Sequence, residues 1–249
     1  MTDLELLVLG TCTFLLAGAI KGLVGIGLPT ASMGMLTLFV SPRLAIALIL
    51  FPMLLSNLWQ MWREGEIRQT VVRYRYFAIV LFVIVGLTAV VTRDAEDRFL
   101  MAVLGCVILL FVGFSWKGLM PVLPPKYDTP SQISFGAIAG ILGGLTSGWA
   151  APLGIYLSMS GAGREDWIRA TGFLIFTGSV PLTLAYLWTG HLTTELAKIS
   201  ALMLIPTFAG FAAGEALRNR LSVGTFRIML LIMFGGLGLN LLRRAIWYG

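Results

Sequence analysis

Apolar runs separated by short polar turns follow one another along nearly the whole chain. Runs close to the length of a membrane span include residues 76–91, 99–116, 131–145, 199–213 and 226–242. Because a helix needs about 20 apolar residues to cross the hydrocarbon core of a bilayer, the pattern predicts an all-α membrane protein. The predicted helices cover residues 4–23, 29–40, 44–62, 72–91, 98–116, 131–145, 152–160, 167–188, 195–216 and 224–242.

Composition agrees with this pattern and narrows the classes of partner. Apolar residues make up 57% of the chain and charged residues 12%, whereas soluble domains carry about one quarter charged residues. The net charge of +6 comes from basic residues scattered over short loops, as the positive-inside rule predicts for a membrane protein. We therefore expect a lipid bilayer and a small solute as partners, without nucleic acid, and the oligomeric state stays open.

A glycine-rich phrase occurs once near the start of each half. The first copy is Gly18-Ala-Ile-Lys-Gly-Leu-Val-Gly-Ile-Gly27, and the second is Gly136-Ala-Ile-Ala-Gly-Ile-Leu-Gly-Gly-Leu145. The correspondence continues further along, with Arg43 matching Arg164. The sequence thus predicts a duplication, with a first repeat over 1–116, a proline-containing linker over 117–130 and a second repeat over 131–249.

Each predicted repeat contains a long helix, a glycine-rich break, a short half-helix and three further spans. The half-helices, 29–40 and 152–160, are too short to cross a bilayer. If each forms a hairpin with the helix before it, most basic residues collect on one side of the membrane, whereas a single crossing would divide them nearly evenly. The positive-inside rule favours the hairpin, which predicts two inverted repeats with both chain termini outside.

The two breaks are the candidate substrate site. Matched breaks in the two halves of a transporter mark the place where the backbone can meet a solute, and a helix N-terminus favours an anion. Alternatively, the glycines only let helices pack closely. The candidate residues in the breaks are Gly25, Gly27, Thr30, Ser32, Gly143, Gly144, Thr146 and Ser147.

Lys21 is a cation inside an apolar run and the candidate charge partner of an anionic substrate. Counted from Leu4, it lies near the far interface, where it would extend its amine to water. Counted by the repeat, it lies near mid-depth. Further candidate substrate contacts lie on long helices of the two halves: Ser56, Asn57 and Thr177. Hydrogen bonds between helices would explain these polar residues equally well.

Residues for enzyme chemistry do not occur in a recognisable order. The chain has no Ser/His/Asp order, no Cys/His spacing typical of a metal site and no phosphate-binding GxxxxGK. We therefore expect no catalytic residue, no cofactor and no metal. Glu215, an acid in an apolar segment, is expected to pair with Arg218 or Arg220 at a helix end.

These features together resemble the TauE/SafE sulfite exporter family of membrane permeases. The resemblance is carried by the two glycine-rich breaks, the charged turn Arg63-Glu-Gly-Glu-Ile67 and the turn Gly190-His-Leu192. It implies outward transport of sulfur-containing anions, such as sulfite, sulfoacetate or other organosulfonates, across a bacterial cytoplasmic membrane. Ala139 stands where a counterpart of Lys21 would be, so a charged site would be asymmetric.

The expected mechanism is alternating access around a midplane anion site formed by the two breaks. Two alternatives stay open. A passive anion channel would also fit, because no paired buried acids are present to couple protons. A membrane assembly factor, in which the breaks only pack helices, would belong to a different class of function.

Overall fold

The computed structural model describes residues 3–117, 122–217 and 223–247. These residues form eleven α-helices and one short 3-10 turn, Pro125–Tyr127. The α-helices are α1 (Asp3–Val24), α2 (Leu28–Leu36), α3 (Pro42–Glu64), α4 (Ile67–Val91), α5 (Asp97–Lys117), α6 (Asp128–Thr146), α7 (Ala150–Met159), α8 (Arg164–Trp188), α9 (Thr194–Leu202), α10 (Leu204–Leu217) and α11 (Val223–Trp247).

Several helices are long and apolar enough to cross a membrane. They are Leu4–Val24, Pro42–Glu64, Ile67–Val91, Arg164–Trp188 and the combined segment Thr194–Leu217. Many large apolar side chains on them face outward, as expected where lipid replaces water as the solvent. The short α2 and α7 lie among the longer helices with most of their side chains buried.

The predicted helix 195–216 is divided in the structure. Helix α9 ends at Leu202, and α10 begins at Leu204. Pro206 explains the division, because proline has no N–H to bond the carbonyl group four residues earlier and its ring crowds that group. The helix ladder resumes where Thr207 N donates to Met203 O at 3.1 Å.

The predicted linker is shorter at its C-terminal side than the sequence suggested. Helix α6 begins at Asp128, three residues before the predicted start, and Pro130 lies in its first turn, where a missing N–H leaves no bond unmade. At the other side, α5 extends to Lys117. Pro121, one of the linker prolines, lies outside the described residues.

Proline inside α3 has a compensating partner on another helix. Pro52 cannot donate to the Leu48 carbonyl group, so that oxygen loses its normal helical partner. The buried Ser200 of α9 supplies the missing bond, with Oγ donating to Leu48 O at 2.9 Å. This bond ties α9 to the middle of α3.

The most extensive helix contacts are those of α1 with α10, α4 with α6, α5 with α11, and α8 with both α4 and α3. Helices α1 and α10 run in the same direction, because Gly10 lies against Met203 while Gly22 lies against Phe211. Helices α4 and α6 also run in the same direction. There Gly136 lies against Phe77, and Gly144 lies against Thr88.

Helices α3 and α8 run in opposite directions through the centre of the bundle. Gln60, late in α3, bonds Ile168, early in α8. Arg43, early in α3, lines the same cleft as Tyr186, late in α8. Their contacts define two ends of the molecule, which we call the Arg169 end and the Arg43 end.

The two ends carry different sets of cross-links. At the Arg169 end, ion pairs join Arg63 to Glu215, Arg73 to Asp166 and Arg169 to Glu66. At the Arg43 end, arginines bond mainly to carbonyl groups: Arg43 to Ala95 O, Arg98 to Ala245 O and Arg244 to Thr37 O.

Candidate functional site

The first break is a sharp turn between α1 and α2 made by two glycines. Gly25 has φ of 81° and Gly27 has φ of 111°, which are conformations that side-chain-bearing residues rarely adopt. No side chain caps the N-terminus of α2, and Leu28, Pro29 and Thr30 in its first turn are buried. The break therefore places an uncapped helix N-terminus inside the protein.

Gln60 joins this break to α8. Its Nε2 donates to Gly25 O at 3.2 Å, to Ile168 O at 2.7 Å and to Thr171 Oγ1 at 3.2 Å. The carbonyl group that the turn leaves without a helical partner is thus bonded by an amide side chain. Neither Gln60 nor Thr171 was among the candidate site residues predicted from the sequence.

Lys21, in the last turn of α1, is 2% exposed and has only neutral hydrogen-bond partners. Its Nζ donates to Ser56 Oγ at 3.0 Å and to Asn57 Oδ1 at 2.6 Å. Asn57 Nδ2 donates in turn to Met53 O at 2.7 Å, which fixes the amide so that its oxygen faces the lysine. Within residues 3–117, 122–217 and 223–247, no carboxylate forms an ion pair with Lys21.

The partners of Lys21 lie near the middle of α3. Helix α3 runs from Pro42 to Glu64, so its midpoint is residue 53, and Asn57 is four residues farther along. At about 1.5 Å per residue, the displacement from the midpoint is about 6 Å. The lysine amine is therefore closer to the midpoint of α3 than to its C-terminal end, Glu64.

The second break differs from the first in both backbone and side chains. Helix α6 ends at Thr146, and Ser147 adopts φ of 53°. A left-handed conformation costs a residue with a side chain about 1–2 kcal/mol. Trp149 occupies the N-cap position of α7, and no side chain caps that helix.

Trp149 fills the space left by two glycines. A Cβ atom at Gly143 would lie 2.3 Å from Trp149 Cε3, and one at Gly178 would lie 2.6 Å from Trp149 Cζ3. Because these ring carbons are opposite Nε1, the indole N–H points away from α6 and α8 at these contacts. A Cβ at Gly144 would lie 2.7 Å from Thr88 Cβ, so both predicted glycines give room for packing.

Four buried hydrogen-bond donors next to the two half-helices have no partner among the described residues. They are Thr30 Oγ1 and Ser32 Oγ in α2, and Ser147 Oγ and Trp149 Nε1 at the start of α7. Leaving a buried polar group unpaired costs about 1–3 kcal/mol, so such groups in native proteins point to a ligand or an ordered water. Trp149 is absent from the predicted site, although an aromatic residue with a polar tip inside a glycine break was a visible signal.

Two other predicted residues bond within their own helices. Thr146 Oγ1 donates to Leu142 O and Thr177 Oγ1 donates to Phe173 O, each at 2.8 Å. Hydroxyl groups satisfied in this way have no unmade bond to offer a solute. The structure thus brings together Lys21, Ser56 and Asn57, whereas the Thr177 hydroxyl group bonds Phe173 O within its own helix.

Helix α8 connects the two breaks. Thr171 contacts the first break, with Oγ1 at 3.5 Å from Gly25 O, and Gly178 contacts Trp149 of the second. These positions are seven residues apart, so they share one face of the helix and are separated by about 10 Å. The midpoint of α8 is residue 176, so the contact with the second break is close to the middle of this helix, and the contact with the first break is displaced toward the Arg169 end.

A small cleft at the Arg43 end reaches the end of α6. Its lining includes Arg43, Thr92, Arg93 and His191, together with the buried Leu145 and Tyr186 and with Gly144 near the end of α6. Glu215, which was predicted to pair with Arg218 or Arg220, instead bonds Arg63 at the Arg169 end, while Arg218 and Arg220 lie outside the described residues. In the part of the chain that the structure describes, no group of three or more His, Cys, Asp or Glu side chains could hold a metal ion.

Comparison with known proteins identifies the family. The chain matches the family described as sulfite exporter TauE/SafE over residues 11–241, which includes both breaks, Lys21 and all of α2 to α10. Searches of curated proteins and of solved structures gave no significant match. The match covers most of the chain, and the helices are long and apolar enough to cross a membrane. This multi-pass membrane protein therefore belongs to the TauE/SafE sulfite exporter family of transporters.

Proposed function

We propose that this protein exports small sulfur-containing anions, such as sulfite or organosulfonates, across a bacterial cytoplasmic membrane by alternating access. The anion binds between the two breaks, near the middle of the bundle. Lys21 supplies the positive charge, and the unpartnered donors of the two half-helices supply hydrogen bonds. Membership of the TauE/SafE family supports the substrate class.

The observation that carries this proposal is the buried Lys21 amine with neutral partners alone. A lysine at the centre of a membrane helix costs about 2.5–3.5 kcal/mol on insertion scales, and Ser56 and Asn57 offset that cost with dipoles rather than with a charge. A buried cation without a counter-ion is therefore suited to a substrate that brings the negative charge.

The donors around the half-helices suit the oxygen atoms of a sulfite or sulfonate group. Such a group accepts several hydrogen bonds at once, and a helix N-terminus adds backbone N–H groups and partial positive charge. Thr30 and Ser32 lie on one half-helix, and Ser147 and Trp149 precede the other. The second half-site is neutral, so the site we propose has one charged side and one uncharged side.

Helix directions support two inverted repeats within 1–116 and 131–249. The first helix of each half runs alongside, and in the same direction as, the third long segment of the other half: α1 with α10, and α6 with α4. The equivalent central helices, α3 and α8, run in opposite directions. This exchange of partners is expected if two similar halves are related by an axis in the membrane plane.

We assign the Arg169 end to the cytoplasm and both termini to the outside. Basic residues collect at the Arg169 end, namely Arg63, Arg73, Arg164 and Arg169. Two more arginines, Arg68 and Arg75, lie on the first turns of α4 nearby. The positive-inside rule supports this orientation.

Flux of sulfite from proteoliposomes tests the proposal. A carrier that works by alternating access should show flux that saturates with sulfite concentration and is accelerated by sulfite or methanesulfonate on the opposite side. Flux that rises linearly with concentration and ignores the opposite side would indicate a passive channel. An absence of flux with every sulfur anion would favour the assembly role.

A further inference from the structure

Helices α1 and α10 pack backbone against backbone. A Cβ atom added at Gly18 would lie 2.3 Å from Thr207 O, and one at Gly210 would lie 2.0 Å from Leu15 O. Glycines at these points let the two backbones touch, as small residues do between membrane helices. Because their backbones are in contact over several turns, we call these two helices the α1–α10 unit.

Helix α3 is joined to the α1–α10 unit at two levels. At the first level, Lys21 of α1 donates to Ser56 and Asn57 of α3. At the second level, Arg63 of α3 donates to Glu215 of α10, with Nη1 at 2.8 Å from Oε2 and Nη2 at 2.6 Å from Oε1. Arg63 is six residues beyond Asn57, about 9 Å along the helix toward the Arg169 end.

Phe211 of α10 lies between the two cations. Its ring centroid is 5.9 Å from Lys21 Nζ and 5.4 Å from Arg63 Cζ. Both cations are within the range in which a positive charge is attracted to an aromatic ring. One aromatic side chain therefore separates the buried cation from the cation at the surface.

The contact between Arg63 and Glu215 has the geometry in which a guanidinium group binds an oxyanion. Two parallel N–H groups meet two oxygen atoms, and a sulfite or sulfonate group presents oxygens in the same way as a carboxylate. The side chains are 33% and 27% exposed, and ion pairs that are partly exposed contribute little net stability. An anion from solution can therefore take the place of Glu215.

The geometry points to Arg63 as a second binding site for small oxyanions, which Glu215 occupies when no anion is bound. The inference rests on the proposed function and extends it toward the Arg169 end. An arriving anion displaces Glu215 from Arg63, which removes one of the two cross-links between the α1–α10 unit and α3. Lys21 is then the next cation on the far side of Phe211, and Glu215 returns to Arg63 when the anion has moved on.

Equilibrium binding of radiolabelled sulfite to purified variants tests this second site. In Lys21→Met, Glu215 still holds Arg63, so binding should be at least about tenfold weaker than in the unmodified chain. Adding Glu215→Gln releases Arg63 Nη1, while Nη2 still donates to Glu64 Oε1 at 2.9 Å, and binding should recover by about tenfold, as one charge-assisted hydrogen bond would provide. Adding Arg63→Gln to that double variant should abolish the recovery.

The matched control removes the carboxylate from a different arginine at the same end. Arg169 pairs with Glu66 and, at 3.4 Å, with Glu165, so Lys21→Met/Glu66→Gln leaves Arg169 with one carboxylate partner, as Glu215→Gln leaves Arg63 with Glu64. Equal recovery in this control would make Arg63 an ordinary surface cation and overturn the inference. If Lys21→Met does not fold, the affinity for a second sulfite decides: Glu215→Gln should bind it about tenfold more tightly than the unmodified protein does, and adding Arg63→Gln should remove this second binding event.

The two proposals fail in different ways. Sulfite binding that does not depend on Lys21 in the otherwise unmodified protein contradicts the proposed midplane site. Binding that depends on Lys21, with no Arg63-dependent gain after Glu215→Gln, contradicts only the second site.

Discussion

The two glycine breaks lie on the same face of α8 but differ in chemistry. The first contains glycines in left-handed conformations beside a lysine whose amine bonds Ser56 and Asn57. The second contains a serine in a left-handed conformation and a tryptophan whose indole N–H has no partner among the described residues. One side of the proposed site therefore selects for charge and the other for hydrogen-bond acceptors, although the two breaks derive from similar sequence phrases.

The largest expected effect comes from removing the charge of the first break. Lys21→Met should reduce sulfite flux in proteoliposomes by at least about 100-fold, because a buried charge pair that loses one partner costs about 3–5 kcal/mol. Thermal unfolding of the substrate-free variant should be unchanged or raised, since methionine fills similar volume without a buried charge. Lys198→Met, an exposed lysine at the Arg43 end, is the matched control and should transport normally.

Removing the donor of the second break should have a smaller effect. Trp149→Phe keeps an aromatic ring against Gly143 and Gly178 but removes the indole N–H. Sulfite affinity should fall by about tenfold, because a hydrogen bond to a charged group contributes about 1.5–3 kcal/mol. Trp59→Phe, on an exposed face of α3, controls for the loss of an indole. Unchanged affinity in Trp149→Phe would mean that the second break contributes shape without a hydrogen bond.

Backbone substitutions should move stability in opposite directions in the two breaks. Gly27→Ala introduces a side chain at φ of 111° and should lower the free energy of unfolding by about 1–3 kcal/mol. Ser147→Gly relieves a strained residue and should raise it by about 1 kcal/mol. Gly163→Ala, where an added Cβ meets open space, is the control, and thermal denaturation in detergent gives all three values. Equal changes in the free energy of unfolding for Gly27→Ala and Ser147→Gly would contradict the predicted difference between the two breaks.

The smallest effect is expected at Thr177. Its hydroxyl already bonds Phe173 O, so Thr177→Val should change sulfite affinity by less than about twofold. Ser147→Ala, which removes an unpartnered hydroxyl from the second break, should weaken binding more than Thr177→Val does. Titration of both variants with sulfite provides the measurement, and the reverse ranking would contradict the assignment of donors.

Hydrophobic pattern and glycine spacing were enough to predict the helices and the positions of both breaks. Apolar runs of about 20 residues directly indicate membrane-spanning helices. The proline after each break indicated where each half-helix starts. The division at Met203 was missed, although Pro206 is visible in the sequence, because proline within an apolar run can also be accommodated, as Pro52 is by Ser200.

Site residues were harder to predict because partners come from distant parts of the chain. The sequence singled out Lys21, Ser56 and Asn57, but only folding brings α1 against α3. Glu215 was expected to pair within its own helix end, yet its partner is Arg63, 152 residues away. Gly143 and Gly144 looked like backbone donors, whereas their missing side chains make room for Trp149 and Thr88. The spacing of neighbouring residues along the sequence does not predict these long-range contacts.

The most direct test of the central claim is thermal unfolding of the purified protein in detergent with increasing sulfite. A ligand at about a hundredfold excess over Kd stabilises the folded state by about 2.7 kcal/mol. We predict that sulfite raises the melting temperature and that chloride at equal ionic strength does not. The Lys21→Met variant should show no sulfite-dependent rise. An equal rise in Lys21→Met, or no rise in the unmodified chain, would contradict an anion site centred on Lys21.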